Sequence, residues 1–490
     1  MTAPTLSPAL VAHLPTGMLV GGHWGPAAGG RTFEVADPAT GEVLFDVADA
    51  TADDGRRALD SAADAAGPWR AAAPRERSEV LRAAYERITA RTDAFASLIT
   101  AECGKPLAEA RAEVAYGAEF LRWYAEQAVR ADGLVRIAPA GANRQLVHRR
   151  PVGPALLVTP WNFPIAMATR KIGPALAAGC PVVVKPASAT PLTTMLVAEV
   201  IRSELADRGL PTGVVNVVPT SSPGDLTGPL LGDDRLRKLS FTGSTAVGRT
   251  LLAQAADQVL RCSMELGGNA PFLVLADADL DAAVDGAVVA KLRNAGQSCV
   301  AANRFYVHDS LAREFARRLA DRFASLRVGP GARDGVDVGP LIDAGAVDRV
   351  AGLVDDATGR GAQLLTGGDR PEGPGSFYEP TVLAGVDPDA RAVREEIFGP
   401  VAPVVAVADD DEAIALANAT EYGLAAYAYT TSLDRAMRVS DEVEAGMIGI
   451  NRGMVSDASA PFGGVKASGL GREGGEAGLE EYLETVYVAL

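Results

Sequence analysis

Short, almost unbroken apolar runs alternate with amphipathic stretches along most of this chain. Residues 155–158, 182–184, 214–218 and 239–241 are runs of this kind. Runs so short and so continuously apolar read as strands buried on both faces. Helical stretches separate them. One begins at Pro164, with proline at the first helical position, where its missing N–H costs nothing. Another begins at Thr190-Pro191, read as N-cap and first residue. Strand–helix alternation predicts a parallel, doubly wound α/β sheet.

A second α/β series starts near Cys262. It comprises a strand at 272–275, a helix from Asp279, a strand at 305–307 and an Arg-rich helix from Ser310, and it ends around 448–450. The first 150 residues differ. Helical patterns cover 53–65 and 74–115, the second broken near Gly104-Lys105-Pro106. Residues 131–150 read as strand, turn, strand, and 482–488 are strand-like again.

Composition narrows the class. The chain has 490 residues, 48% of them hydrophobic and 22% charged, enough core for several domains. Its net charge of −16 argues against a broad nucleic-acid or anionic-membrane surface. Cys103, Cys180, Cys262 and Cys299 lie far apart without a CxxC pair, so neither a disulfide framework nor a cysteine zinc site is expected. The four histidines are scattered, and no metal is expected. The N-terminus has no signal-peptide pattern. The apolar run 173–184, bounded by Lys171 and Lys185, is too short to span a bilayer. A cytoplasmic protein is the expectation.

Candidate chemistry lies in a few strings. Glu265 precedes Gly267-Gly268, and Cys299 ends the polar, flexible-looking Gly296-Gln297-Ser298. A thiol with a carboxylate base nearby can attack a carbonyl and then hydrolyse the thioester. A lone cysteine is more often a small buried hydrophobe, and a lone glutamate a surface or capping residue. Asn162 sits in Thr159-Pro160-Trp161-Asn162-Phe163-Pro164, at a strand-to-helix junction where ligands bind open α/β sheets. It is either an oxyanion donor or a helix cap. In Phe241-Thr242-Gly243-Ser244 a strand ends and a helix opens, as at a pyrophosphate site, though without a G-x-G-x-x-G. Phe163, Met167 and Arg170 share one helix face. A guanidinium in a channel wants an anion, although a salt bridge to a core acid would also explain Arg170. Ala282, Gly286, Val289 and Arg293 form a stripe on an apolar helix, and a charge ending a buried stripe needs a partner unless it is simply at the surface.

These strings together resemble the signatures of the aldehyde dehydrogenase superfamily, and the likeness runs from about residue 15 to 488. The resemblance implies an aldehyde dehydrogenase fold. Its Rossmann-like dinucleotide domain would span 1–130 and 150–261 and its α/β catalytic domain 262–455. A β-hairpin oligomerisation flap at 131–149 would join 470–490. Cys299 would be the nucleophile and Glu265 the base for the deacylating water. Asn162 would be the oxyanion donor, with the Cys299 N–H. Thr159, Pro160, Trp161, Gly243, Ser244 and Leu266 would frame the cofactor. Lys185 and Ser188 would hold the adenosine ribose, Glu396 the nicotinamide ribose, and Phe398 would pack by the nicotinamide. Ser188 stands where NAD-preferring members tend to have glutamate. That favours NADP, with NAD still usable if Ser188 merely caps the next helix. Relatives commonly have glycine where Thr220 stands, which puts the adenine contacts in doubt.

Arg170, Arg293 and Ser456 coincide with the carboxylate-binding positions of the succinate semialdehyde subgroup, and Phe462 lies beside them. The implied reaction is oxidation of succinate semialdehyde, with glutarate semialdehyde as the alternative and a non-catalytic scaffold as a remote one. Ala301 replaces the second cysteine some members carry, so no local disulfide switch is expected. The partners implied are a small aldehyde and further copies of the chain, as a homodimer or homotetramer.

Overall fold

The computed structural model describes residues 6–490. One sheet has eight strands. Their order is Gly469–Leu470, Arg261–Glu265, Lys238–Thr242, Ala155–Val158, Val182–Lys185, Val215–Val217, Met18–Val20 and His23–Gly25. The run from Arg261–Glu265 to Val215–Val217 is parallel. The apolar runs of the sequence form its middle and are buried throughout. Strand order reverses between Ala155–Val158 and Lys238–Thr242, and the carboxyl ends of such a pair border the crevice where ligands bind.

Two helices leave that crevice. Pro164–Ala178 has proline at its first position and stops at Gly179, whose φ of +97° is in the left-handed region that favours glycine. Thr245–Ala256 is capped by Ser244, whose Oγ accepts the Val247 N–H at 3.4 Å.

The second sheet orders Gln363–Thr366, Thr381–Ala384, Val401–Val407, Ala302–His308, Ala270–Val274, Ala425–Tyr429 and Met447–Ile450. It is parallel except at its first strand. A third, antiparallel sheet joins Leu134–Ile137, Arg144–Pro151 and Leu483–Ala489. It leaves Val135 and Ile137 exposed.

Several details differ from the sequence reading. Arg261–Glu265 belongs to the first sheet, so the changeover falls between Glu265 and Ala270 rather than at 262, and Gly469–Leu470 returns to the first sheet instead of joining the flap. The helical stretch from Pro74 is three helices, Pro74–Ala90, Thr92–Cys103 and Leu107–Gln127. Gly104, with φ +85°, ends the second, where a Cβ would stand 2.5 Å from Pro340. Thr190 precedes its helix but does not cap it. Its hydroxyl donates to the Trp161 carbonyl at 3.0 Å and ties down the crevice loop instead.

Candidate active site

At the reversal point the chain encloses a cavity of about 350 Å3, lined by Pro160, Trp161, Asn162, Met167, Thr242, Gly243, Ser244, Leu266, Gly267, Cys299, Arg349, Glu396 and Phe398. Residues from both large sheets therefore meet in one place. Trp161 and Phe398 face each other edge to face, with centroids 5.6 Å apart.

The loop carrying Cys299 is held rigidly, contrary to its flexible look in the sequence. Gln297 is fully buried. Its Nε2 donates to the carbonyls of Asn294 (3.1 Å) and Pro340 (3.3 Å), and its Oε1 accepts the Ile342 N–H at 2.8 Å. Asn162 Nδ2 donates to the Gln297 carbonyl at 3.0 Å. An amide nitrogen carries two hydrogens, so one remains for a ligand. Asn162 is no helix cap, since the helix behind it begins without a side-chain cap. Its own carbonyl accepts from Lys105 Nζ (2.8 Å) and Asn294 Nδ2 (3.0 Å). Lys105 is buried with Glu113, whose Oε1 takes the N–H groups of Ile165 (3.1 Å) and Ala166 (3.4 Å). Lys105, Glu113 and Asn294 went unnoticed in the sequence, because pairing across such separations leaves no local pattern.

The glycines after Glu265 admit a close approach: a Cβ at Gly268 would lie 2.5 Å from the Cys299 carbonyl oxygen. Burial pushes the Cys299 thiol up to about 12, opposed by the Arg170 charge and reinforced by Glu396 and Glu265. Glu265 is itself buried, and its Oε2 has no partner among the described residues. Burial, and then the charge of Glu473, hold its carboxyl well above the usual range, against Arg170, Lys171 and Arg472.

Glu473 is a second group the sequence reading passed over, although it stood in the quoted tail, between Arg472 and Gly474. It lies between two buried cations. Arg170 Nε stands 2.5 Å from its Oε2, close enough for an ion pair but with the hydrogen poorly directed, and Lys171 Nζ bonds its Oε1. The salt-bridge alternative for Arg170 is thus realised, yet incompletely. Its Nη2 reaches only Met167 Sδ (3.2 Å), its plane lies 4.0 Å from the Phe462 ring centroid, and its Nη1 is buried without a partner among the described residues. Phe163 and Met167 pack beside it with Tyr116, as the shared helix face implied. Arg293 lies 5.3 Å over the Phe163 ring and forms no ion pair among the described residues. Its helix does not bury the stripe read from the sequence: Ala282 and Val289 are exposed, and Ala283, Ala287 and Ala290 face the core. Arg293 reaches the Phe163 ring because the helix ends there and the chain turns. Ser456 is half-buried and makes no hydrogen bond among the described residues.

The cofactor end fits a dinucleotide. A Cβ at Gly243 would stand 2.5 Å from the Phe241 ring, so only glycine lets the chain turn there into the helix capped by Ser244. First-turn N–H groups of a helix suit a pyrophosphate. Lys185 is buried with no acidic partner among the described residues, and desolvation brings its amine down to about 8. Such an unpaired amine calls for an anion or a ligand hydroxyl. Thr159 is buried one strand over, its N–H donating to the Lys185 carbonyl at 3.2 Å. Ser188 is exposed and does not cap the following helix. Glu396 Oε1 accepts the Gly268 N–H at 3.2 Å, and burial brings its carboxyl up to about 7. Arg349, on Ala344–Gly359, also lines the cavity, and nothing in the sequence singled it out. Thr220 is buried and donates to Asp49 Oδ1 at 3.2 Å. Lys185, Ser188, Thr159, Glu265, Arg170, Arg293, Ser456, Phe163 and Phe462 lie outside the lining of this cavity, on neighbouring segments.

A cysteine thiol, an amide donor and a crevice that fits a dinucleotide, brought together from two sheets, suit a cofactor-dependent aldehyde-oxidising class. Residues 24–488 match the aldehyde dehydrogenase family model, and the chain belongs to that family. It is 54% identical to a succinate-semialdehyde dehydrogenase of Paenarthrobacter nicotinovorans, covering 91% of this chain and 99% of that one. It is 48% identical to a glutarate-semialdehyde dehydrogenase of Pseudomonas putida, over 96% and 97%. A solved structure described as an E. coli NADP-dependent enzyme superposes with a TM-score of 0.96 at 45% identity, covering 99% of both chains. The fold is the aldehyde dehydrogenase fold. No helix among the described residues is long and apolar enough to cross a membrane.

Proposed function

We propose that this protein oxidises succinate semialdehyde to succinate, with NADP preferred over NAD. One observation carries the substrate. Arg170 is buried beside Glu473 and Lys171, and its Nη1 has no partner among the described residues. Arg293 lies over the Phe163 ring and forms no ion pair among the described residues. A buried guanidinium N–H left unpaired is costly unless an acceptor joins it. A substrate with a carboxylate at its far end supplies one, and Ser456 adds a hydroxyl. Relatives named for four- and five-carbon semialdehydes support the same class. Glutarate semialdehyde is the second reading, since one methylene is worth only about 1–3 kcal/mol of discrimination.

A water molecule takes the Cys299 proton, and the sulfur bonds to the aldehyde carbon. The resulting oxyanion takes the free Asn162 Nδ2 hydrogen and the Cys299 N–H. Lys185, Ser188, Gly243, Ser244, Leu266, Glu396, Phe398 and the Thr159–Trp161 loop would hold the nicotinamide cofactor, which supplies the hydride acceptor. The acyl group is then a thioester on Cys299. Glu265 takes a proton from water, the hydroxide adds to the thioester carbon, and the Cys299 thiolate leaves as succinate forms. Lys185, with no acid beside it, and the exposed Ser188 favour a cofactor bearing a 2′-phosphate. The exposed apolar side chains of the three-stranded sheet support assembly as a dimer or tetramer.

Reduced-cofactor formation from succinate semialdehyde, measured with each nicotinamide cofactor, tests this. Turnover that is faster at low NADP than at equal NAD is the expected result. No turnover with any ω-carboxy aldehyde would overturn it.

A further inference from the structure

Tyr116 has no part in the scheme above, yet its phenol points to one. It lies on Leu107–Gln127, its ring edge-on to Phe120 at 5.0 Å and packed against Phe163, Ala166 and Met167. Those contacts fix the ring where the helix after Asn162 passes. The hydroxyl is buried and has no hydrogen-bond partner among the described residues. Arg170 Nη1 is in the same condition. The phenol lies close to both Arg170 and Ser456 without a well-directed bond to either.

A buried hydroxyl left unpaired is costly, and native proteins rarely keep one without a reason. Two such groups side by side, a phenol and a guanidinium nitrogen, with the Ser456 hydroxyl next to them, are all able to donate. A carboxylate accepts through two oxygens with about four lone-pair sites. Burial keeps the phenol protonated, and the Arg170 charge only partly opposes this, so the O–H stays a donor at neutral pH.

We propose that the Tyr116 hydroxyl is a specificity-determining donor to the substrate's distal carboxylate, closing a clamp with Arg170 and Ser456. This rests on the reading of the substrate as a carboxylated aldehyde. Tyr116 does not touch the reacting carbon. It acts on binding, and it favours an anionic tail over an alkyl one because an alkyl tail leaves the phenol and the guanidinium unpaired, a source of strong discrimination.

Tyr116→Phe keeps the ring and removes only the hydroxyl, so the packing stays. Hydrogen bonds to charged groups are worth about 10- to 100-fold in affinity. The ratio of kcat/KM for succinate semialdehyde over butanal should fall by that factor, through KM rather than kcat. Calorimetric binding of succinate should weaken by a similar factor, independently of turnover. An unchanged ratio, or equal losses on both aldehydes, overturns the proposal. Arg293→Ala is measured alongside. If it lowers the ratio while Tyr116→Phe does not, the Tyr116 role falls and the carboxylate reading stands. If neither variant lowers the ratio, the carboxylate reading itself fails.

Discussion

The loop that presents Cys299 and the pocket beyond it are built on opposite terms. Around the loop most polar groups have partners: Gln297 spends both ends of its amide on backbone, and Asn162, although its Oδ1 is unpartnered among the described residues, is gripped through its carbonyl by Lys105 and Asn294. On Pro164–Ala178 and Leu107–Gln127, Arg170 Nη1 and the Tyr116 hydroxyl are buried without partners, and Arg293 and Ser456 are unbonded among the described residues. Satisfied networks hold a geometry that must not move, as an attacking sulfur and its oxyanion donor require. Unsatisfied donors mark where a ligand completes the structure. Catalysis is common to the family, so the loop carries the class, and under the proposed reading the groups around Arg170 select the substrate.

The contrast can be broken most severely at the loop. Cys299→Ala should abolish reduced-cofactor formation, and turnover near wild type would remove the thioester scheme. Glu473→Ala comes next. It strips two buried cations of their shared acid, and breaking such a pair costs about 3–5 kcal/mol, readable as a lower urea midpoint. A midpoint unchanged from wild type would mean that Glu473 does not balance those charges. At the pocket, Arg293→Ala should lower kcat/KM for succinate semialdehyde about 10- to 100-fold, the range for a charged hydrogen bond, and leave butanal within a few-fold. Equal losses would place Arg293 in packing.

Smaller effects concern protonation. Glu265 must be ionised to take a proton from water, and its carboxyl is held above the usual range. Deacylation should therefore slow as pH falls through that raised value, and Glu473→Gln, which removes the repelling charge, should move this acidic limb downward. A limb that stays put would separate Glu265 from Glu473. The Cys299 thiol, pushed up to about 12 without cofactor, should alkylate slowly with iodoacetamide at pH 8, and saturating NADP should speed it. No acceleration would mean that cofactor binding does not ionise the sulfur.

Much of this was legible in the residues. The buried strands showed as unbroken apolar runs, because a parallel sheet hides both faces, and Pro164 and Ser244 punctuate helices by local chemistry. The Glu265, Cys299 and Asn162 strings are local too. What escaped was non-local or nearly so. Glu473 and Tyr116 matter through what the fold brings beside them, more than 300 and more than 50 residues from Arg170 respectively, and Lys105 and Glu113 look like ordinary helix-end charges until they are buried together. Thr190 failed as a cap because the Glu102 carboxylate takes the first-turn N–H groups of Leu192 (2.8 Å) and Thr193 (2.9 Å), leaving the Thr190 hydroxyl to donate to the Trp161 carbonyl. The stripe ending at Arg293 misled because an alanine-rich helix offers several faces of equal apolarity.

The central claim is that the pocket beyond Cys299 selects an aldehyde carrying its own carboxylate. The direct measurement is kcat/KM of the wild-type protein, with saturating NADP, for succinate semialdehyde and for butanal, which has the same carbon count and no charge. The account predicts a preference for the semialdehyde of at least about 100-fold, from two or more charge-assisted bonds. Equal values for the two aldehydes would contradict it.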